Sequence, residues 1–177
     1  MRKIHVLIAF VLLPTIFFGQ ASVLDKFDGL DGVESVLVTK KMFQMMGNVK
    51  MDENDKEMQK YIDLTKKLDD LKVFTTLNSK MKANLSAAND SYIVSAGLEA
   101  LMPVKDGTQS IRVSVKSAEK ESQIRELLMF VEDSGPSNKT ILLSLTGNFD
   151  LNELSVLMDK MNLPGGNALK KIRRGGK

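Results

Sequence analysis

The chain has 177 residues, with 25 Lys+Arg against 22 Asp+Glu, a single histidine, and no cysteine or tryptophan. At 43% hydrophobic and 27% charged, it has the composition of an ordinary globular protein. That composition excludes the disordered, collagen-like and disulfide-stapled classes.

The N-terminus reads as an export signal. Arg2 and Lys3 make a short basic start, Val6 to Phe18 form an apolar run broken only by Pro14 and Thr15, and Gly19-Gln20-Ala21 offer small residues for a signal peptidase. A membrane anchor needs roughly 20 apolar residues, more than Ile4 to Phe18 supplies. Residues 1–21 are therefore expected to be removed, with the cut after Ala21 or after Gly19 or Gln20. No cysteine is available for acylation, so the expected product is soluble, periplasmic or secreted, and not a lipoprotein. His5 leaves with the signal, and so do Arg2 and Lys3. What remains is nearly neutral, and long enough for one domain burying about 70% of its unfolded surface.

The rest of the chain is expected to form a single domain over 22–163 and a flexible basic tail over 164–177. Asp28-Gly29 and Asp31-Gly32 mark a turn, and Val33 to Thr39, rich in β-branched residues, reads as a strand. Lys41 to Met46 suits a short helix ending at Gly47. Asn54 and Glu57 fit a capping box for a helix whose stripe is Met58, Tyr61, Ile62, Leu64, Thr65 and Leu68. Val73, Phe74 and Leu77 suggest a short strand. From Ser79 a second helix carries Met81, Leu85, Ala88, Tyr92 and Ala96 at steps of three and four and stops near Gly97.

Beyond Gly97 the period changes from 3.6 to 2. Leu98 to Lys105 reads as an edge strand, because Pro103 cannot donate to a ladder. Asp106-Gly107 turns the chain into Ile111, Val113 and Val115, which alternate with Arg112, Ser114 and Lys116. Gln123 to Glu132 fits both a helix face and a strand buried on both faces. The turn at Ser134 to Asn138, leading into Thr140–Thr146, favours the strand. Gly147-Asn148 would end that last strand. Asp150 and Glu153 then cap a helix that Asn162 and Pro164 terminate. The expected fold is α+β: an antiparallel β-meander in the C-terminal half, covered on one face by helices.

Without histidine or cysteine, the exported chain has no Ser-His-Asp or Cys-His triad, thiol redox centre or thiolate zinc site. Ser137-Asn138-Lys139 is read as a turn. The carboxylate neighbours Asp69/Asp70, Glu119/Glu121 and Glu132/Asp133 are the raw material for a hydrolase, read first as solvated charges. Asp52, Asn54 and Lys56, with Asp55 beside them, alternate like calcium-loop positions. Glu57 stands where that loop requires glycine, so helix capping is the first reading. Met42, Met45, Met46 and Met51 could hold Cu(I), but methionine is first a core filler. Sequons occur at Asn84, Asn89 and Asn138 and have meaning only in a glycosylating host. No cofactor and no metal are expected.

The export signal, Val33–Thr39 leading into Lys41-Met42-Phe43-Gln44-Met45-Met46, Leu101-Met102-Pro103-Val104-Lys105-Asp106-Gly107, Ile124-Arg125-Glu126-Leu127-Leu128, and Leu145-Thr146-Gly147-Asn148-Phe149-Asp150-Leu151 together carry a resemblance. The chain resembles the domain-of-unknown-function 4252 family, exported proteins of Bacteroidota. The resemblance spans nearly all of Val23 to Leu163 and implies a cell-envelope role. It supplies no catalytic residue, and the lipid-anchoring cysteine of some members is missing here.

The leading expectation is an exported cell-envelope domain without catalytic machinery that binds a protein or envelope component through its sheet face or edge. The alternative is a carboxylate-dependent hydrolase of the envelope. In the tail, Lys170, Lys171, Arg173, Arg174 and Lys177 stand among only Leu169 and Ile172 as large apolar residues. A solvated end is the bland reading. Weak contact with an anionic surface is the functional one, and nucleic acid is not an expected partner.

Overall fold

The computed structural model describes residues 23–48, 55–101, 103–119 and 123–161. The export segment with its cut, the calcium-loop residues Asp52 and Asn54, and the tail with Lys170, Lys171, Arg173, Arg174 and Lys177 lie outside them. Among the described residues no helix is long and apolar enough to cross a membrane.

A 3₁₀ turn at Asp25–Phe27 precedes β1 (Glu34–Thr39), α1 (Lys40–Met46), α2 (Lys56–Thr65), β2 (Leu68–Thr76) and α3 (Ser79–Ala96). Then come β3 (Glu99–Ala100), β4 (Val104–Asp106), β5 (Gln109–Ser117), β6 (Gln123–Asp133), β7 (Thr140–Asp150) and α4 (Leu151–Lys160). The strands form one seven-stranded sheet in the order β1-β2-β7-β6-β5-β3, with β4 on the same edge of β5 as β3. All pairings are antiparallel. Strands β5, β6 and β7 make the expected meander, and the ambiguous Gln123 segment is a strand.

Side chains alternate across this sheet, and each face has its own core. Leu127, Met129, Val131, Leu143, Leu145, Leu71 and Val73 meet Phe43 of α1, Leu64 of α2, and Leu154, Leu157 and Met158 of α4. On the other face Leu128, Phe130, Leu142 and Phe74 meet Leu85 and Ala88 of α3, together with Leu24 and Phe27. Three helices thus share one face, and the cover extends to the second face through α3. Burial from both sides explains why Leu127 to Val131 is an unbroken apolar run.

The second long helix is close to its expected form. Asn78 caps it by accepting the Lys80 and Met81 N–H groups at 2.9 and 3.2 Å, and Gly97 ends it in the left-handed conformation at φ 66°. Three boundaries differ from the sequence reading. Asp55, not Asn54, caps α2, accepting the Met58 N–H at 3.0 Å. Helix α2 stops at Thr65, so Leu68 opens a nine-residue strand instead of finishing a helical stripe. Pairing with β7 at Leu68 and from Asp70 to Thr76, and with β1 from Asp70 to Thr75, accounts for that change, because it satisfies most of the segment's backbone groups. Finally, β7 runs through Gly147-Asn148 to Asp150. A Cβ on Gly147 would lie 2.5 Å from the Lys67 carbonyl oxygen, and the Asn148 N–H donates to that same oxygen at 2.9 Å. That glycine is a point of close strand approach, not a strand terminator.

Candidate functional site at the open edge of the sheet

The two edges of the sheet differ. On the outer side of β5, the two-residue β3 and three-residue β4 cap the strand in pieces, with Pro103 between them. Short edge strands and proline are devices that discourage further pairing. The other edge is β1, which pairs with β2 in unbroken register from Glu34↔Thr75 to Thr39↔Asp70. It contains no proline, lysine or bulge, so its outer backbone groups form a regular template.

Its side chains are unusual for an edge. Val38 is buried in the α1–α2–α4 core, but Val36, two residues earlier on the same face, is 52% exposed, and Leu37 on the other face is 36% exposed. On α1, Phe43 is buried while Met42 and Met45 are exposed. Four of the eight large hydrophobics exposed among the described residues therefore lie within Val36 to Met45. Leu77, another of the eight, lines a groove of about 340 Å³ at the head of β1, with Val33, Glu34, Thr76, Asn78 and Lys139. The Thr76 hydroxyl donates to the Gly32 carbonyl and closes the floor of this region. Nearby, Lys72 ties the N-terminal 3₁₀ turn to β2 through Asp25 and also meets Asp70 at 3.4 Å. Burial alone would lower its pKa, but the hydrogen bond and charge of Asp25, joined by Asp70, outweigh that and raise it.

The other candidate groups disperse. Asp69 pairs with Lys40 at 2.7 Å, whereas Asp70 turns to Lys72. Glu132 and Asp133 are consecutive in β6 and so take opposite faces of the sheet. Glu132 reaches Arg112 at 4.0 Å, and Asp133 is held by a turn. Glu119 is exposed and Glu121 lies outside the described residues. No two of these neighbours converge on the groove, whose only carboxylate is Glu34. The methionines diverge as well: Met46 accepts a hydrogen bond from the Tyr61 hydroxyl at 3.6 Å, while Met42 and Met45 face solvent and Met51 is outside the described residues. Asp55 serves as a helix cap. Of the sequon asparagines, Asn89 is buried, whereas Asn84 and Asn138 are exposed. Sequence reading did not single out Val36 and Leu37. A strand carrying apolar residues at consecutive positions was the available signal, and it reads equally well as a strand buried on both faces.

Residues 27–157, from the end of the 3₁₀ turn into α4, match the family described as Domain of unknown function (DUF4252). The chain belongs to that family. No curated protein and no solved structure matches it. In this DUF4252 domain the matched span holds both edges, both faces and every strand described above.

Asp133 shows what its carboxylate does. It accepts from the Ser137 hydroxyl, from the Thr108 hydroxyl at 2.6 Å and from the Gly135 N–H at 2.8 Å, joining the β4–β5 and β6–β7 turns. These hydrogen bonds lower its pKa from 3.8 to about 2, the direction opposite to that needed by a general acid at neutral pH. Because the folded pKa lies below the unfolded one, its stabilising contribution is full above pH 3.8 and is lost as pH falls toward 2. An NMR titration of the Asp133 carboxyl is expected to give a midpoint near 2, and Asp133→Asn is expected to flatten the acid limb of the stability curve. A midpoint at 3.8 would show that the turn network does not form.

Proposed function

We propose that this DUF4252 domain is an exported cell-envelope module that binds another polypeptide as an extended segment added to β1. The observation that carries the reading is the asymmetry of the sheet. Helices cover both faces and short strands cap the β5 edge, while β1 offers a regular edge with exposed apolar residues that no described strand covers. Strand addition draws affinity from main-chain hydrogen bonds and specificity from pockets beside the edge. The groove at Glu34 and Leu77 lies at the head of the same strand, where an added segment would begin or end. The basic start and apolar run within residues 1–21, read as an export signal, support an envelope location.

The test is a benzophenone side chain at Leu37, compared with one at Val94, which is 82% exposed on α3. Irradiation in the host's own envelope should give discrete adducts from Leu37 and none from Val94. Mass spectrometry of the recovered chain should place its N-terminus near Ser22. Equal labelling at both positions would remove the edge from consideration, and an intact Met1 would remove export.

We infer that Lys170, Lys171, Arg173, Arg174 and Lys177 give weak adhesion to anionic surfaces, each contributing about 1 kcal/mol close to the surface. Deleting residues 165–177 is expected to abolish low-salt binding to anionic vesicles and to leave the melting temperature nearly unchanged. Equal vesicle binding by the truncated chain would reduce the tail to a solvated end.

A further inference from the structure

We propose that the segment added to β1 is β1 of a second copy, antiparallel to the first and related by a two-fold axis through Leu37. This inference rests on the reading of β1 as a binding edge and names its occupant.

β1 and the first residue of α1 read Glu34-Ser35-Val36-Leu37-Val38-Thr39-Lys40, nearly the same in both directions about Leu37. A two-fold axis perpendicular to a sheet leaves each face on its own side, so residues that oppose each other must lie an even number of positions apart. Centred on Leu37, this symmetry sets Leu37 against the partner's Leu37 and Val36 against the partner's Val38. It also sets Ser35 against the partner's Thr39 and brings Glu34, at one end of the strand, beside the partner's Lys40 at the start of α1. Every opposition is favourable: apolar with apolar, hydroxyl with hydroxyl, acid with base. The contacts then recur by symmetry, as an isologous interface requires.

Neighbouring registers lose this match. Centring on Val36 opposes Leu37 to the partner's Ser35 and Glu34 to the partner's Val38. Centring on Val38 puts Val36 against the partner's Lys40. A parallel arrangement in register stacks Glu34 on the partner's Glu34. One register alone is complementary throughout.

The monomer leaves the required groups available. Glu34 is exposed and forms no ion pair among the described residues. Lys40 holds Asp69 at 2.7 Å with both side chains more than half exposed, so a second carboxylate can join that lysine. Val36, the most exposed apolar residue of the strand, would be covered by the partner's Val38. An unrelated partner strand would have no reason to match this sequence read backwards. A second copy matches it by construction.

The chain contains no cysteine, so a single introduced thiol reports the pairing without interference. Directly opposed antiparallel residues have Cα atoms about 4.5–5.5 Å apart, within the range a disulfide spans. In the chain purified from its host, Leu37→Cys should form covalent dimers about 1,000-fold faster than Val94→Cys, the ratio of a millimolar effective concentration to a micromolar free one. Mixing Ser35→Cys with Thr39→Cys should give the mixed disulfide, with neither variant pairing efficiently alone. The unmodified chain should sediment as a dimer, and Val36→Lys should sediment as a monomer with an unchanged far-ultraviolet circular dichroism spectrum and a lower melting temperature, because it loses the stabilisation that association gives.

A Leu37→Cys rate no greater than that of Val94→Cys, together with monomeric sedimentation of the unmodified chain, would overturn the second-copy inference. If benzophenone at Leu37 still captured other proteins in that case, the edge reading would stand and only the occupant would be wrong. If it captured nothing, both would fall. Fast Leu37→Cys pairing without the Ser35–Thr39 mixed disulfide would overturn the register.

Discussion

Replacing Leu143 by alanine is expected to destabilise the domain by about 2–5 kcal/mol, the range for emptying a buried leucine site. Leu143 is 1% exposed at the centre of β7, between Val73 of β2 and Met129 of β6. Both neighbours are fixed in the sheet, and helices pack over the same core, so the surroundings have little freedom to collapse into the space. Urea denaturation of the two chains checks the figure. A loss below about 0.5 kcal/mol, the size of an ordinary surface change, would mean that β7 is in another register.

Gly147→Ala is expected to cost about 1–3 kcal/mol although it adds a single methyl group, because overpacking displaces backbone. The new Cβ would meet the Lys67 carbonyl oxygen at 2.5 Å and the Leu68 Cα at 2.9 Å, both main-chain atoms that no rotamer change can move. The glycine also sits at φ 157°, which side-chain-bearing residues rarely adopt. Relief requires the start of β2 to shift, where the β2–β7 register is already irregular between Leu68 and Asp70. The expected result is a lower denaturation midpoint with an unchanged secondary-structure spectrum. A midpoint equal to that of the parent would show that β2 and β7 do not approach at this point.

Much of this was legible locally. Steps of three and four from Met81 to Ala96, with Gly97 behind them, dictate a helix and its end, because neighbouring turns bring those positions to one side. Alternation at Ile111, Val113 and Val115 dictates a strand by the same reasoning with period two. Glu153 accepting the Asp150 N–H at 3.2 Å realises the capping pair read from spacing. The run from Leu127 to Val131 was ambiguous because apolar residues at every position show no period, and only the cores on both sides make that run necessary.

The candidate site lay largely beyond sequence reading. In sequence, Val36 and Leu37 cannot be distinguished from the buried apolar pairs of β6; which strand ends at the edge is decided by the order β1-β2-β7-β6-β5-β3. Likewise Glu132 and Asp133 are neighbours in the chain but opposed across a strand, and Asp69 and Asp70 are claimed by different lysines. By itself, the sequence determined that the chain has no cysteine and a single histidine, the helices and most strands, and the basic-then-apolar pattern at its start. These depend on residue type and on contacts a few positions apart. Only the tertiary structure decided that helices lie on both faces, that the last strand enters between β2 and β6, and that β1 has no second neighbour among the described residues. Those outcomes depend on pairings between distant segments, where local propensity carries no information about which strands will meet.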